Sequence, residues 1–440
     1  MQESDTENSL PASRECVLLL PFPLDERQKF LNKEMRQLLK SAHYYISKEF
    51  KIRTNNSKFL FSPYRLQEIC YEINNPTLVI IGSHLTPKQG INLENLFEIQ
   101  VIDKFELVLE IFAERAMTEE SKLQIELARL KYEHPRERLR LMHKLGLEGA
   151  WHTERSGFWG PGENPLNVFE ASMTKTESQL KNRLAELSKQ REKGRFSRKR
   201  HHHDSLYVSI VGYTSAGKST LLNSLTNSQS SSVSSRLFET LDTRVRSFKL
   251  EDLKVFITDT VGFIEDLPTF LIDSFKSTLE ESLAADIILI IVDASEPMEY
   301  ILRKTRVSLQ TMNEINPQNY RLIVLNKIDL LSVDALNQRL EFLKNKFSEM
   351  QIVPISAIED VEPLIAEIAK FQPKQNYQCS YPPNHQFRAF CWEYTHVLHE
   401  SFGNSNQWEM IFSLRKPKYG VEILKQQARL LGISIEMEAI

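Results

Sequence analysis

The fold of this 440-residue chain is indicated most directly by LYVSIVGYTSAGKSTLLNSL, residues 206–225. It begins with an unbroken apolar run, which is typical of a strand buried in a parallel sheet. The following GYTSAGKS satisfies G-x-x-x-x-G-K-[ST], a loop whose backbone N–H groups surround phosphate oxygens at the start of a helix. Because strand, loop and helix follow in the required order, the stretch predicts a P-loop nucleotide-binding domain.

Further apolar runs follow, each ended by a polar or small residue: KVFITD at 254–259, DIILIIVD at 286–293, YRLIVLN at 320–326 and QIVPIS at 351–356. Helical stretches separate them. The alternation predicts a doubly wound, mostly parallel α/β domain over residues 201–372.

The rest of the chain predicts a multidomain α/β protein. Residues 15–118 alternate short apolar runs with helical stretches and predict a small N-terminal α/β domain. Leucines at helical spacing predict a long antiparallel helical hairpin over 119–200, with a GPGE loop and a basic linker at its end. Pro135 is expected to bend or end the first of these helices. Residues 1–14 predict a disordered tail, and 373–440 a small C-terminal α+β region.

The amino-acid composition limits which classes of function and location are expected. Hydrophobic residues make up 41% and charged residues 26%, and the net charge is −3, so nucleic-acid contacts must come from local patches. Four scattered cysteines without C-x-x-C spacing argue against zinc and disulfides. The absence of an 18-residue apolar run predicts no membrane contact. The acidic start, MQESDTENSL, resembles neither a secretory signal nor a mitochondrial presequence and favours the cytoplasm.

Polar residues at the strand ends predict phosphate and metal chemistry. Lys218 is expected to reach the β- and γ-phosphates, and the Ser219 hydroxyl to bind Mg²⁺. Asp259 ends a strand, as a residue holding Mg²⁺ through water should. Gly262 is expected to give its backbone N–H to the γ-phosphate.

The stretch NKID, 326–329, predicts guanine recognition. Guanine presents two adjacent donors that a carboxylate accepts, so Asp329 selects guanine over adenine. Asn326 is expected to bond the opposite edge of the base, and the Lys327 stem to cover its face. The backbone of Ser356 and Ala357 is expected near the guanine O6. We therefore expect GTP rather than ATP.

The stretch SSRLFETLDTRVRSF, 234–248, stands where a mobile first switch belongs, and Thr240 is the candidate to close on Mg²⁺ and the γ-phosphate. The predicted catalytic residues are Lys218, Thr240 and Gly262, and the predicted metal ligands are Ser219 and Thr240. The predicted nucleotide-binding residues are Gly212, Tyr213, Thr214, Ser215, Ala216, Gly217, Lys218, Ser219, Thr220, Phe238, Glu239, Thr240, Leu241, Asp242, Asp259, Thr260, Val261, Gly262, Asn326, Lys327, Ile328, Asp329, Ser356 and Ala357.

These motifs together resemble the HflX-type GTPases, in the Obg/HflX group of translational GTPases. The likeness covers about residues 75–372. It rests on VIDKFELVLEIFAERAMTEESKLQIELARLKYEHPR and GPGE in the first half, and on GYT-AGKST, LFETLD, DTVGFI and NKID in the second. The combination is specific, whereas the GTPase motifs alone do not separate this family from its neighbours.

The resemblance implies an N-terminal α/β domain with a helical hairpin, followed by a GTPase domain. It also implies ribosome binding, mainly to the large subunit and its rRNA, in subunit splitting, recycling or biogenesis. The loop at 160–163 would then reach rRNA, and Phe158 and Trp159 either stack on bases or pack between the helices. Eukaryotic relatives can act in mitochondria, which keeps the mitochondrial matrix as the alternative location. We expect a monomer.

The chain departs from the family at several positions. The family usually has an asparagine where Ser215 stands, and in related GTPases that asparagine helps to bind an activating K⁺. The loop continues GPGENPLN rather than with the usual TQLE, and LDTRVR lacks the usual proline. No glycine-rich stretch follows Asn75-Pro76, which weakens the case for a second nucleotide site.

Two further features leave alternatives open. Phe263, at a position where the family carries a hydrophobic residue, cannot orient water as a glutamine does, so we expect slow intrinsic hydrolysis that the ribosome completes. A GTP-gated RNA-binding scaffold with negligible turnover is the alternative, whereas Asp329 disfavours a P-loop kinase. The segment 189–204 carries seven Lys or Arg and is either a solvated linker or a contact for RNA phosphates.

Overall fold

The computed structural model describes residues 14–23, 25–73, 78–145, 165–201, 205–226, 244–250, 253–260, 262–265, 285–315, 320–371, 375–403, 406–414 and 417–440. Within these ranges the chain forms an N-terminal α/β domain, an antiparallel helical hairpin, a P-loop domain and a C-terminal α+β region, which confirms the predicted fold class. None of the described helices combines the length and apolar character needed to cross a lipid bilayer.

The N-terminal domain contains β1 (Arg14–Pro21), α1 (Glu26–Ser41), β2 (Tyr44–Ile52), β3 (Thr54–Asn56), β4 (Leu60–Phe61), α2 (Pro63–Glu72), β5 (Val79–Ile81), α3 (Pro87–Phe97), β6 (Val101–Asp103) and α4 (Lys104–Arg115). Parallel pairing gives the strand order β2-β1-β5-β6, and β3 pairs with β4 as a hairpin. Arg14 belongs to β1, because its backbone N–H donates to the His43 carbonyl at 3.1 Å; this corrects the predicted tail of 1–14. Residues 1–13 lie outside the described residues.

The helical hairpin consists of α5 (Glu119–Lys144) and α6 (Pro165–His201). Arg183 donates to Glu119 at 2.9 Å and Arg138 to Glu170 at 2.6 Å, so the helices run antiparallel. Pro135 lies inside α5 and does not end it. The basic segment is helical as far as His201. The GPGE loop, Phe158 and Trp159 lie outside the described residues.

The P-loop domain contains β7 (Leu206–Gly212), α7 (Lys218–Leu225), β8 (Arg244–Leu250), β9 (Leu253–Asp259), β10 (Ile287–Asp293), α8 (Met298–Ile315), β11 (Tyr320–Asn326), α9 (Val333–Lys346), β12 (Gln351–Pro354) and α10 (Glu362–Ala369). The strand order is β12-β11-β10-β7-β9-β8, and β8 alone among these described strands runs antiparallel. Residues 244–248 therefore belong to an edge strand, which corrects their assignment to the mobile first switch.

The C-terminal region contains β13 (Gln375–Tyr381), α11 (His385–Tyr394), β14 (His396–Phe402), β15 (Trp408–Leu414), α12 (Pro417–Leu430) and β16 (Glu436–Ala439). The order along the chain is βαββαβ, and the antiparallel sheet has the order β14-β15-β13-β16. Its apolar side chains, among them Tyr381, Phe387 and Phe412, form a core of their own.

One hydrophobic cluster, named here the shared cluster, joins the N-terminal and P-loop domains. It includes Leu18, Met35 and Phe105 from the first domain and Tyr213 and Phe263 from the second. All five side chains are buried, so the two domains remove this apolar surface from water together. The P-loop end of β7 consequently lies against the N-terminal domain.

Candidate functional site

The loop between β7 and α7 needs glycine at both ends of its motif. Gly212 lies at φ +146°, and a Cβ there would stand 2.4 Å from the Ile291 carbonyl oxygen. Gly217 lies at φ +96° where α7 begins, and a Cβ there would stand 2.3 Å from the Asn326 side-chain nitrogen. Backbone conformation and space therefore both exclude other residues. Thr214 and Ala216 are buried within this loop, and Ser215 is exposed.

Lys218 lies buried beneath the loop. Its ammonium donates to the backbone oxygens of Gly212 at 3.2 Å and Tyr213 at 2.8 Å. Burial lowers the pKa of Lys218 to about 8, although the Asp259 carboxylate favours the charged form. The positive group thus sits at the start of a helix, where anions are stabilised.

Ser219 and Asp259 bring two oxygen groups together at the carboxyl end of β9. The Ser219 hydroxyl donates to Asp259 Oδ2 at 3.0 Å, and Asp259 is fully buried. Carboxylate and hydroxyl oxygens suit Mg²⁺, so the donor set fits this ion. Thr260 is also buried and donates its hydroxyl to the Ile210 carbonyl at 2.9 Å, while Thr220 follows on α7.

Gly262 and Phe263 lie directly against the P-loop. A Cβ on Gly262 would stand 2.7 Å from Thr214 Cγ2 and 3.0 Å from Lys218 Nζ. The Phe263 N–H donates to the Gly212 carbonyl and its carbonyl accepts from the Thr214 N–H, both at 3.0 Å. The Phe263 ring is 4% exposed and belongs to the shared cluster. It therefore packs between the domains.

Asn326 connects the P-loop to the two loops expected to bind guanine. Its amide nitrogen donates to the Ala216 carbonyl at 2.9 Å, and its amide oxygen accepts from the Ala357 N–H at 2.9 Å. Asn326 is 1% exposed. These contacts use one hydrogen of the amide nitrogen and one lone pair of the amide oxygen, so the expected bond from Asn326 to the base stays a prediction. The Ala357 N–H is likewise used here.

Asp329 lies exposed in a short 3₁₀ turn, Ile328–Leu330. Its Oδ1 accepts the Ser356 hydroxyl at 2.7 Å, which orients the carboxylate expected to select guanine. The Ile328 N–H donates to the Ile355 carbonyl at 3.3 Å and ties this turn to the loop after β12.

Asp293 is a site residue that sequence reasoning missed. Lys327 Nζ lies 2.6 Å from Asp293 Oδ2 and 3.0 Å from the Ser215 carbonyl oxygen, so Lys327 bridges Asp293 and the P-loop. The signal was present in the sequence: Asp293 ends the run DIILIIVD just as Asp259 ends KVFITD. Carboxyl ends of neighbouring parallel strands meet at one edge of a sheet.

The structure brings together most of the predicted nucleotide-binding residues at the carboxyl edge of the P-loop sheet, around β7, β9 and β11. The remaining predicted residues lie outside the described ranges: Phe238, Glu239, Thr240, Leu241, Asp242 and Val261.

Comparison with known proteins identifies the family. Residues 31–113 match the model described as GTP-binding GTPase N-terminal, 115–198 the GTP-binding GTPase middle region, and 207–327 the 50S ribosome-binding GTPase. GTPase HflX of Methanocaldococcus jannaschii is 37% identical over 313 residues, which cover 70% of this chain and 75% of that protein. The chain belongs to the HflX GTPase family.

Two further HflX relatives give the same result. GTPase HflX of Thermococcus kodakarensis is 36% identical, covering 76% of this chain and 75% of its own. The Escherichia coli protein is 39% identical and covers 58% of each chain. A solved structure of SsGBP with GDP is 27% identical, with a TM-score of 0.48, covering 81% of this chain and 98% of its own. As an HflX GTPase, this protein binds guanine nucleotides and hydrolyses GTP.

Proposed function

We propose that this HflX GTPase associates with the large ribosomal subunit and acts in subunit splitting, recycling or biogenesis. The observation that carries the proposal is the basic end of α6, where seven Lys or Arg between residues 189 and 200 precede the P-loop domain. Such charge favours RNA phosphates. The model matched by residues 207–327, described as a 50S ribosome-binding GTPase, supports the large subunit as partner.

The proposed nucleotide complex assigns one task to each part of the site. Lys218 contacts the β- and γ-phosphates, Gly262 gives its N–H to the γ-phosphate, and Asp329 accepts the guanine donors. Ser219 and Thr240 hold Mg²⁺, with Asp259 acting through water. Bound there, the ion neutralises phosphate charge.

The buried ring of Phe263 supports completion of the active site by the ribosome. A phenyl ring offers no hydrogen bond to the attacking water, so intrinsic turnover is slow. Single-turnover GTP hydrolysis, measured alone, with large subunits and with small subunits, tests this. We expect acceleration by large subunits only; equal rates in all three reactions would contradict the proposal.

The same ring favours one alternative, a scaffold that uses GTP binding but not its hydrolysis. Repeated rounds of subunit splitting, followed by light scattering with GTP and with a non-hydrolysable analogue, separate the two. An enzyme that must hydrolyse GTP before it can act again splits subunits in a second round only with GTP. A scaffold splits subunits equally well with both nucleotides.

We propose further that the protein acts as a monomer in the cytoplasm, with the mitochondrial matrix as the alternative. Sedimentation with cytosolic and with mitochondrial ribosomes identifies the partner, and multi-angle light scattering gives the mass in solution. Preferential pelleting with mitochondrial ribosomes would move the site of action to the matrix.

A further inference from the structure

The carboxyl edge of the N-terminal sheet meets the P-loop and the segment after Gly262. In doubly wound sheets a ligand binds outside the carboxyl ends where the strand order reverses, which is here between β1 and β5. Lys104 directly follows β6 at this edge, and Glu34 lies on α1 after β1. Tyr213 of the P-loop domain contacts Glu34, and the Glu265 carbonyl contacts Lys104.

A buried ion pair holds the Glu265 peptide. Lys104 Nζ lies 2.6 Å from Glu34 Oε2, and the two side chains are 4% and 3% exposed. Lys104 also donates to the Glu265 carbonyl at 3.0 Å, while the Glu265 N–H donates to the Tyr213 hydroxyl at 2.7 Å. That hydroxyl in turn donates to Glu34. Both peptide groups of Glu265 are therefore fixed.

The Glu265 side chain is held from both domains as well. Its Oε1 lies 3.2 Å from Arg27 Nε on α1 and 3.3 Å from the Arg303 guanidinium on α8. Two residues earlier, Phe263 makes its two backbone hydrogen bonds to the P-loop. Residues 262–265 are thus fixed at both ends, with Gly262 beside Lys218.

We propose that Glu34, Lys104 and Tyr213 are positioning residues through which the N-terminal domain holds Gly262 over Lys218, ready for the γ-phosphate. This inference rests on the proposed nucleotide site. It requires the three residues to act as one unit, because the bonds cited above connect Tyr213 to Lys104 through Glu34 and through the Glu265 peptide. GDP has no γ-phosphate, so its affinity depends little on this unit.

The test uses full-length Tyr213→Phe, which removes one hydroxyl and keeps the ring. We expect the ratio of GTP-analogue to GDP affinity and the intrinsic single-turnover rate both to fall several-fold. Tyr44→Phe is the matched control, because the buried Tyr44 hydroxyl also donates to a glutamate, Glu110 at 2.8 Å, inside the N-terminal domain. An unchanged ratio, or faster hydrolysis, overturns the proposal.

A second variant tests the proposal without leaving an unpaired buried charge that could prevent folding. Replacing Glu34 or Lys104 alone leaves a buried charge unpaired, so Glu34→Leu is combined with Lys104→Met, which removes both charges. We expect the ratio of GTP-analogue to GDP affinity to fall in this double variant as much as it does in Tyr213→Phe. The triple variant should show no larger fall. Additive losses would overturn the claim of one unit. The measurements contain no ribosomes, so failure of ribosome stimulation tests the proposed function separately.

Discussion

Asp293 fixes Lys327, which lies between Asn326 and the turn that carries Asp329. Its Oδ2 pairs with Lys327 at 2.6 Å, and its Oδ1 accepts hydrogen bonds from the backbone N–H and hydroxyl of Ser295 at 2.9 and 2.6 Å. Lys327 lies at φ 65°, a conformation that lysine seldom adopts. The loop therefore depends on contacts from outside it.

Asp293→Asn should weaken GDP binding about fivefold, or ~1 kcal/mol, because an amide cannot hold both Ser295 and an ammonium group. Isothermal titration calorimetry measures this change. Ser295→Ala is the control, since it keeps the carboxylate and the Lys327 pair. Equal affinities for Asp293→Asn and the unaltered protein would contradict the role of Asp293.

Ser215 stands at φ 61°, where asparagine is favoured over serine. Ser215→Asn should raise the free energy of unfolding by ~0.5 kcal/mol and make GTP hydrolysis faster in K⁺ than in Na⁺. Urea unfolding and paired rate measurements check both effects, with Ser215→Ala as control. Equal rates in the two salts would show that the asparagine alone does not create K⁺ dependence here.

Lys218 should make nucleotide affinity depend on pH. Burial lowers its pKa to about 8 in the free protein, and phosphate charge raises the pKa again in the complex. The complex keeps a proton that the free protein loses, so GDP affinity is full below this pKa and falls as pH rises through it, by up to about tenfold per unit. Calorimetry in two buffers near pH 8.5 should show proton uptake on binding; zero uptake would contradict the argument.

At the scale of elements, two arginines on α5 form ion pairs that differ in burial. Arg136 lies 3.1 Å from Glu106 on α4 and is 6% exposed, whereas Arg138 lies 2.6 Å from Glu170 on α6 and is 46% exposed. A Cβ on Gly90 would stand 2.6 Å from the Arg136 guanidinium, so this side chain also packs on α3. Arg136 thus anchors the hairpin to the N-terminal domain.

Arg136→Met should cost ~3 kcal/mol of stability, because it leaves Glu106 without its buried partner, whereas Arg138→Met should cost less than ~1 kcal/mol. Thermal unfolding measures both variants, and they serve as controls for each other. Similar costs would mean that burial does not set the strength of these pairs.

The sequence predicted the P-loop sheet well because its central strands are buried on both faces and read as unbroken apolar runs. The edge strands β2, YYISKEFKI, and β8, RVRSFKL, mix apolar with charged residues and were missed. The Lys104–Glu34 pair was equally invisible: the residues lie 70 positions apart and meet only once α1 and α4 pack. The motif residues, by contrast, are recognised by their spacing within short stretches of sequence.

At the scale of the whole molecule, the charge is divided between regions. The basic end of α6 precedes the P-loop domain, while the C-terminal sheet carries Glu409, Glu436 and Glu438 on the face opposite its helices. Acidic groups repel RNA phosphates. The division favours α6, and not the C-terminal sheet, for the proposed contact with rRNA.

Neutralising Arg191 and Lys193 to glutamine should reduce the slope of log affinity for rRNA against log salt by about 1.5, since each lost phosphate contact removes released counterions. The same change at Lys344 and Lys346, on α9 of the P-loop domain, is the matched control and should leave the slope unchanged. Filter binding over a salt series gives both slopes. Equal effects would remove α6 as the RNA contact.

The shared cluster also determines how the chain unfolds. Because Leu18, Phe105, Tyr213 and Phe263 belong to a single apolar core, neither α/β domain can melt without exposing the other, and the pair loses structure as one cooperative body. The C-terminal region keeps a separate core and is free to melt on its own. Damage to α1, which is far along the chain from the phosphate loop, is therefore expected to weaken nucleotide binding, whereas loss of the C-terminal core is not.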